Sequence, residues 1–233
     1  KKGGYKSFLK YMADFNNIEF NKEVVKIDNN NKKIYFQDKT SEKYDVLISS
    51  IPLPELINMI SYAPEEVLYA SQMLSFTSGY LVSLGLKRVK SMENLWLYIY
   101  DEDILPSRIY FPHLKSPDNV PENLSSLQAE IYFSNFKPLN IDENELMENT
   151  IQQLISIGLF NNEDIIVKDI RQEKYANVIY DHNIQKARKI VHDFLKKQDI
   201  FYIGRFGEWA YLWSDQSLMS GKIAADKIFK IIY

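Results

Sequence analysis

The apolar residues of this chain fall in short blocks whose period switches between two and about 3.6, the spacings of strands and helices. Val24, Val25 and Ile27, then Ile34, Tyr35 and Phe36, flank Asn29, Asn30 and Asn31 and predict a hairpin. The apolar run at 44–50 predicts a third strand, buried on both faces. Pro52 and Pro54 stop it and open a helix to 60, and Pro64 with Glu65 and Glu66 opens another to 73. Strands are predicted at 81–86, 95–100, 108–111 and 127–133, the last carrying Glu130 in mid-run. Asp142 and Glu145 have capping-box spacing before a helix over 146–157, which Gly158 closes. A strand at 165–170 runs on irregularly toward Tyr180. Asp181, His182 and Asn183 then precede a helix with Ile184, Ala187, Val191 and Phe194 on one face. At the start of the chain Phe8, Leu9, Met12 and Phe15 mark an amphipathic helix behind Gly3 and Gly4.

Strands in runs between helices, rather than strict alternation of the two, predict a mixed α/β (α+β) fold. Its centre is an antiparallel sheet built from the segments around Leu81, Leu95, Arg108, Leu127 and Ile165, with helices over one face.

The stretch 204–217 asks for more than packing. It follows a predicted buried strand at 200–203 and precedes a predicted helix at 218–232, with Leu218, Gly221, Ala225, Ile228 and Ile232 on the helix's apolar stripe. Between them lie Gly204, Arg205, Gly207, Trp209, Trp213, Glu208, Asp215 and Ser217. Glycines let backbone approach a ligand, arginine offers a planar donor fork, and a helix start presents free N–H groups to an anion. Ser214, Asp215 and Ser217 are candidate N-caps. The alternative is a polar loop holding two packed tryptophans.

Composition narrows the classes. The chain has 233 residues, 45% of them hydrophobic and 25% charged, with a net charge of −3. That balance is globular and argues against a phosphate-driven nucleic-acid binder. The absence of cysteine excludes disulfides, thiolate catalysis and cysteine-ligated zinc. The three histidines, His113, His182 and His192, lie far apart in sequence, so no metal site is expected. No Gly-x-Gly-x-x-Gly, Walker or His-Glu-x-x-His motif occurs, and no run is long and apolar enough for a membrane span. A cytoplasmic location is the expectation.

The motifs resemble a known family. Gly204-Arg205-Phe206-Gly207-x-Trp209-x-Tyr211, then Asp215-Gln216-Ser217 and a small-residue helix, is similar to the C-terminal flavin-binding segment of UDP-galactopyranose mutases. The wider group is the flavin-containing amine oxidase and protoporphyrinogen oxidase superfamily. Gly3 and Gly4 resemble that family's glycine loop near the flavin. Val24-Val25-x-Ile27 and the segment 44–52 resemble its hairpin and following strand, and Trp96-Leu97-Tyr98 with Arg108 its substrate strand pair.

The resemblance implies a division into three parts. Residues 1–60 would belong to a Rossmann-like FAD-binding domain whose N-terminal Gly-rich segment is missing here, 61–180 to a substrate domain, and 181–233 to a C-terminal segment closing over FAD. It places Arg108 and Arg205 on a substrate diphosphate, with Tyr98 and Tyr211 as phosphate contacts and Asn177 where the family usually carries an aromatic residue beside the substrate. Ion pairing of the arginines, for instance Arg205 with Glu208 or Asp215, is the competing expectation, as core packing is for the tyrosines. Gly3, Gly4, Val25, Gly204, Asp215, Gln216 and Ser217 are the implied cofactor contacts. No protein nucleophile is implied, because reduced flavin carries the chemistry in the mutases. The implied partner is a nucleotide sugar used in polysaccharide or lipopolysaccharide synthesis. The alternatives are a flavin-dependent amine oxidase or protoporphyrinogen oxidase-like oxidoreductase, and a catalytically inactive substrate-domain fragment. Because the pyrophosphate-binding turn is not in this sequence, the purified chain is expected to carry little or no FAD. Absorbance near the flavin band, against protein concentration, checks this; near-stoichiometric FAD would refute it.

Overall fold

The computed structural model describes residues 3–4, 6–14, 17–87 and 94–232. In chain order its elements begin α1 (Lys6–Asp14), β1 (Val24–Asp28), β2 (Lys33–Phe36), β3 (Ser41–Lys43), β4 (Leu47–Ser49), α2 (Leu53–Met59) and α3 (Glu65–Gln72). Then come β5 (Phe76–Leu86), β6 (Trp96–Tyr98), β7 (Arg108–Tyr110), α4 (Pro112–Lys115), β8 (Ser125–Phe133), α5 (Glu143–Ser156) and β9 (Ile165–Val178). The chain finishes with α6 (Ile184–Lys197), β10 (Ile200–Tyr202), α7 (Gly204–Gly207) and α8 (Ser214–Ile232).

Two compact units divide the chain: Lys1–Ile18 with Thr77–Ala176, and Glu19–Phe76 with Asn177–Tyr233. The chain passes from one unit to the other after Ile18, inside β5 and inside β9.

The first unit is built on a five-stranded sheet in the order β6-β7-β8-β5-β9. The β6–β7, β7–β8 and β5–β8 pairs are antiparallel. Along β5 and β9, Ser78 Oγ donates to the Lys174 carbonyl while Gly85 sits against Val167, so these strands also run in opposite directions. The five segments expected from sequence are these five strands. Strict alternation sorts their side chains. Val82, Leu84, Leu86, Ile109, Leu127, Ala129 and Ile131 point inward and join Leu146, Ile151 and Leu154 of α5 in one core. The opposite face carries Trp96, Tyr98, Arg108, Tyr110, Gln128, Glu130 and Tyr132. Asp142 caps α5 as expected, its carboxylate accepting from the Asn144 and Glu145 amides at 2.9 and 3.4 Å.

The second unit contains the hairpin β1–β2, extended by β3 into an antiparallel meander, and a two-stranded parallel sheet of β4 and β10. The strand β3 was not foreseen; its sequence, Ser41-Glu42-Lys43, has no apolar residue to mark it. The strand expected at 44–50 shrinks to three residues, and Ile48 is 43% exposed, so β4 is not buried on both faces. Helix α6 buries Ile184, Ala187, Val191 and Phe194, the expected stripe. Helix α8 departs from its expected stripe: Ser220 and Ala224 are buried, while Leu218, Met219, Ile223 and Phe229 are exposed. A notional Cβ on Gly221 would stand 3.7 Å from Ile203 Cδ1, an ordinary packing distance. In α1, Leu9 and Met12 are exposed; Phe15 and the Phe8 side chain lie outside the described residues. Among the described residues no helix is long and apolar enough to cross a membrane.

Replacing Asp142 by Ala should cost about 1 kcal/mol, the usual worth of an N-cap. Urea denaturation of the two proteins measures it; an unchanged midpoint would show that the cap contributes nothing.

Candidate functional site

The stretch 204–217 is a tight reversal between β10 and α8, formed around a tryptophan. Gly204 starts it with φ at +73°, a conformation glycine adopts without strain. A short helical turn, α7, follows where sequence indicated only a loop. Its Gly207 packs so close to β4 that an added Cβ would stand 3.1 Å from the Ser49 carbonyl oxygen. Trp209 then takes φ at +49°, which is rare for a bulky side chain and marks strain held by its surroundings. Its side chain is completely buried, with Phe76 and Phe206 meeting it edge-on at 6.2 and 6.3 Å. Its carbonyl accepts from Arg188 Nη1 at 3.3 Å. Trp213, by contrast, is 64% exposed, so only one of the two tryptophans is core.

The reversal brings Arg205, Tyr211 and Asn177 together. Arg205 Nε donates to the Leu212 carbonyl and Nη1 to Asn177 Oδ1, each at 2.9 Å. The guanidinium carbon lies 4.8 Å from the centre of the Tyr211 ring, within cation–π range. Tyr211 is half-exposed, and its amide donates to the Tyr180 hydroxyl at 2.9 Å. Among the described residues no carboxylate pairs with Arg205, so neither Glu208 nor Asp215 forms the ion pair weighed above. Glu208 instead accepts from the Ser220 hydroxyl, which in turn accepts from the Gly204 amide at 3.0 Å. This chain of bonds ties the reversal to α8.

Helix α8 starts at Ser214, earlier than expected. The Gln216 side chain accepts from the Trp213 amide at 2.8 Å, the returning half of a capping box. Asp215, Gln216 and the half-buried Ser217 therefore occupy the first turn. Val25 lies on β1 and is 47% exposed.

In the first unit, Tyr98 and Arg108 stand opposite each other across β6 and β7. Arg108 is not unpartnered, however. Its Nε and Nη2 each donate to the Glu130 carboxylate at 2.9 Å, a bidentate fork, and the Tyr132 hydroxyl donates to the same carboxylate. Glu130 is only 6% exposed. In the sequence Glu130 is marked only as a charged residue in the middle of an apolar strand run. Beside this group Trp96 stacks on Tyr110 at 5.8 Å, with Lys115 Nζ about as far from both rings. Gly3 and Gly4 form a turn in which the Gly3 amide donates to Asp118 Oδ2 at 2.6 Å.

The fold belongs to a recognisable class of structures, each about twice as long as this chain. No family model matches the sequence. A crystal structure of reduced UDP-galactopyranose mutase matches 97% of this chain and 50% of its own length, with a TM-score of 0.86 and 23% identity. A fatty acid isomerase from P. acnes that produces CLA matches 98% of this chain and 52% of its own, with a TM-score of 0.69 and 12% identity. A protein from Exiguobacterium sp., classed provisionally with protoporphyrinogen oxidases, gives a TM-score of 0.68 at 15% identity, over 96% and 51% of the two chains. What is shared at these identities is the fold, over about half the length of each matched structure.

One titration belongs to the frame of the reversal. His192 of α6 stacks on Tyr202 of β10, with ring centres 3.9 Å apart. Burial pushes its pKa from 6.5 down to about 4, Arg188 adds to the effect, and a hydrogen bond with the Gly207 backbone and the nearby Asp193 oppose it. The unfolded chain therefore takes up this proton near pH 6.5, the folded one only near 4. Stability from this group is complete above about pH 6.5 and is lost as the pH falls toward 4, by on the order of 3 kcal/mol. His192→Phe should flatten that part of the pH profile in urea denaturation. An unchanged dependence between pH 7 and 4.5 would refute the assignment.

Proposed function

We propose that this chain supplies the substrate sheet and the flavin-closing segment of a FAD-dependent enzyme acting on a nucleotide sugar, mutase-like, in polysaccharide or lipopolysaccharide synthesis. The observation that carries this reading is Arg205. This half-buried guanidinium is held by two neutral acceptors and an aromatic face, and among the described residues no carboxylate pairs with it. An arriving phosphate would give it a charge-assisted partner. Tyr211, under the guanidinium, and Asn177, on its Nη1, fix the plane of the donor fork before a ligand arrives. That pre-organisation favours oriented binding of a planar or bidentate anion.

The first turn of α8 tests the fit of FAD. The amides of Ser214, Asp215 and Gln216 open the helix and have no acceptor within it. Asp215 places a carboxylate among them, which disfavours a phosphate there and suits a neutral carbonyl edge, such as that of a flavin ring. The residues fit the cofactor in that sense. Asp215, Gln216 and Ser217 would hold the ring, and Gly204 gives the backbone room to approach it. Bound reduced flavin would supply a nucleophilic nitrogen to the sugar's anomeric carbon; the chain's own part is orientation and charge stabilisation.

A flavin-dependent oxidoreductase is the second reading, and the Arg108–Glu130 pair favours it. An arginine whose fork is occupied weakens a two-arginine diphosphate clamp.

Calorimetry with UDP separates the two. Arg205→Lys keeps the charge but loses the fork and should weaken UDP binding by about 1–3 kcal/mol, the scale of a charge-assisted hydrogen bond. Equal affinities, or no UDP binding by either protein, would move the assignment to the oxidoreductase.

A further inference from the structure

The outer face of the five-stranded sheet is a grid of two rows. Tyr98, Arg108, Glu130 and Leu81 lie opposite one another on successive strands, and Trp96, Tyr110, Gln128 and Ser83 form the next row. Side chains opposite each other in register share a face, so both rows look outward together. The stacked Trp96–Tyr110 pair offers a flat aromatic surface beside the charged group, with Lys115 Nζ 6.0 and 5.8 Å from the two ring centres. A ring seated there would place its anionic substituent near Arg108.

Arg108 meets that substituent already engaged. Two of its donor nitrogens are on Glu130, and the carboxylate is locked by the Tyr132 hydroxyl. Tyr132 itself lies over Gly79, where a notional Cβ would stand 3.3 Å from its ring. The side chain of Arg108 is 34% exposed and that of Glu130 only 8%, so the carboxylate is the buried partner and the guanidinium the accessible one. An anion reaching Arg108 has two options. It can displace Glu130, leaving a nearly buried carboxylate unpaired, or it can bind by the remaining edge beside a like charge. Both are unfavourable.

We propose that Glu130 is the specificity-determining residue of this face. It occupies the fork of Arg108 and so rejects small anions that bring no other contact. A phosphate is admitted only as part of a larger ligand whose ring adds binding energy on Trp96 and Tyr110. Specificity of this kind comes from a penalty placed against the wrong ligand. The choice of a nucleotide sugar as the right ligand rests on the function proposed above; the penalty itself does not.

The test uses the full 233-residue chain and inorganic pyrophosphate. Glu130→Gln keeps the shape and removes the charge, and should bind pyrophosphate at least tenfold more tightly than the parent in calorimetry. Arg108→Lys combined with Glu130→Gln should cancel that gain, assigning it to this arginine rather than to Arg205. UDP should gain less than pyrophosphate, so the preference for the nucleotide falls. A folded Glu130→Gln protein with unchanged pyrophosphate affinity, or a gain that survives Arg108→Lys, would overturn the proposal. If Glu130→Gln does not fold, Glu130→Asp serves instead. Its carboxylate is one methylene short of the fork and should still give a measurable gain; none would count against the idea. Failure of UDP to bind any variant would reject the nucleotide-sugar reading while leaving the pyrophosphate comparison intact.

Discussion

Burial of Trp209 in a left-handed backbone conformation is the constraint on which the candidate site depends. An indole removed from water contributes a few kcal/mol, enough to offset the order of 1–3 kcal/mol that a strained residue costs. The strain has a geometric result. With Trp209 turned inward, the chain doubles back and Arg205 and Leu212 come within hydrogen-bond reach. The Ala210 amide closes onto the Arg205 carbonyl at 2.9 Å, and the Tyr211 ring slides under the guanidinium. Phe76, Phe206 and Arg188 hold the tryptophan from three sides. A site on a loop is usually less exact than one on a helix or strand. Here a core residue inside the loop supplies the missing rigidity.

The two arginines singled out by sequence have opposite electrostatic environments. Arg108 sits in a closed charge pair, and its neighbourhood is close to neutral. Arg205 is held by a carbonyl, an amide oxygen and a ring, all neutral, and its charge is uncompensated. The same residue type thus sits in two settings: one pairs with a carboxylate across a sheet, the other is held by neutral groups within a turn. A substitution of either to lysine would lose fork geometry, at Arg108 toward Glu130 and at Arg205 toward Leu212 and Asn177.

Helix α8 shows how a helix can be anchored without a large apolar face. Its buried seam is Ser220 and Ala224, flanked by Ser217 and Gly221, and the Ser220 hydroxyl links Glu208 to the Gly204 amide. Small side chains let the helix lie close to the reversal, and a hydrogen-bonded serine replaces apolar contact at the crossing. Leu218, Met219, Ile223 and Phe229 flank the seam in the open. A groove of about 860 Å³, walled by Ile200, Tyr202, Ile223 and Ala224 among others, runs along this helix; Arg205 is not in its wall.

Much of the architecture was legible in the residues. The five sheet segments, the hairpin, the capped helix α5 and the buried stripe of α6 all follow from periodicity and end signals, because those elements bury one face and keep the other in water. So did the special character of 204–217, where glycines, an arginine and tryptophans crowd one crossing. Other features were decided only by the tertiary structure. The spacing of α8 predicts an apolar stripe, yet Ser220 and Ala224 are its buried positions, and the Ser220 hydroxyl is tied to Glu208 and the Gly204 amide. Ile48 looked like core and is half in water, because burial of a strand depends on what lies on either side of it. Trp209 and Trp213 are the same residue four positions apart, and only the fold distinguishes the wedge from the exposed ring. Glu130 and Arg108 are twenty-two positions apart, and the pairing of β7 with β8 makes them partners.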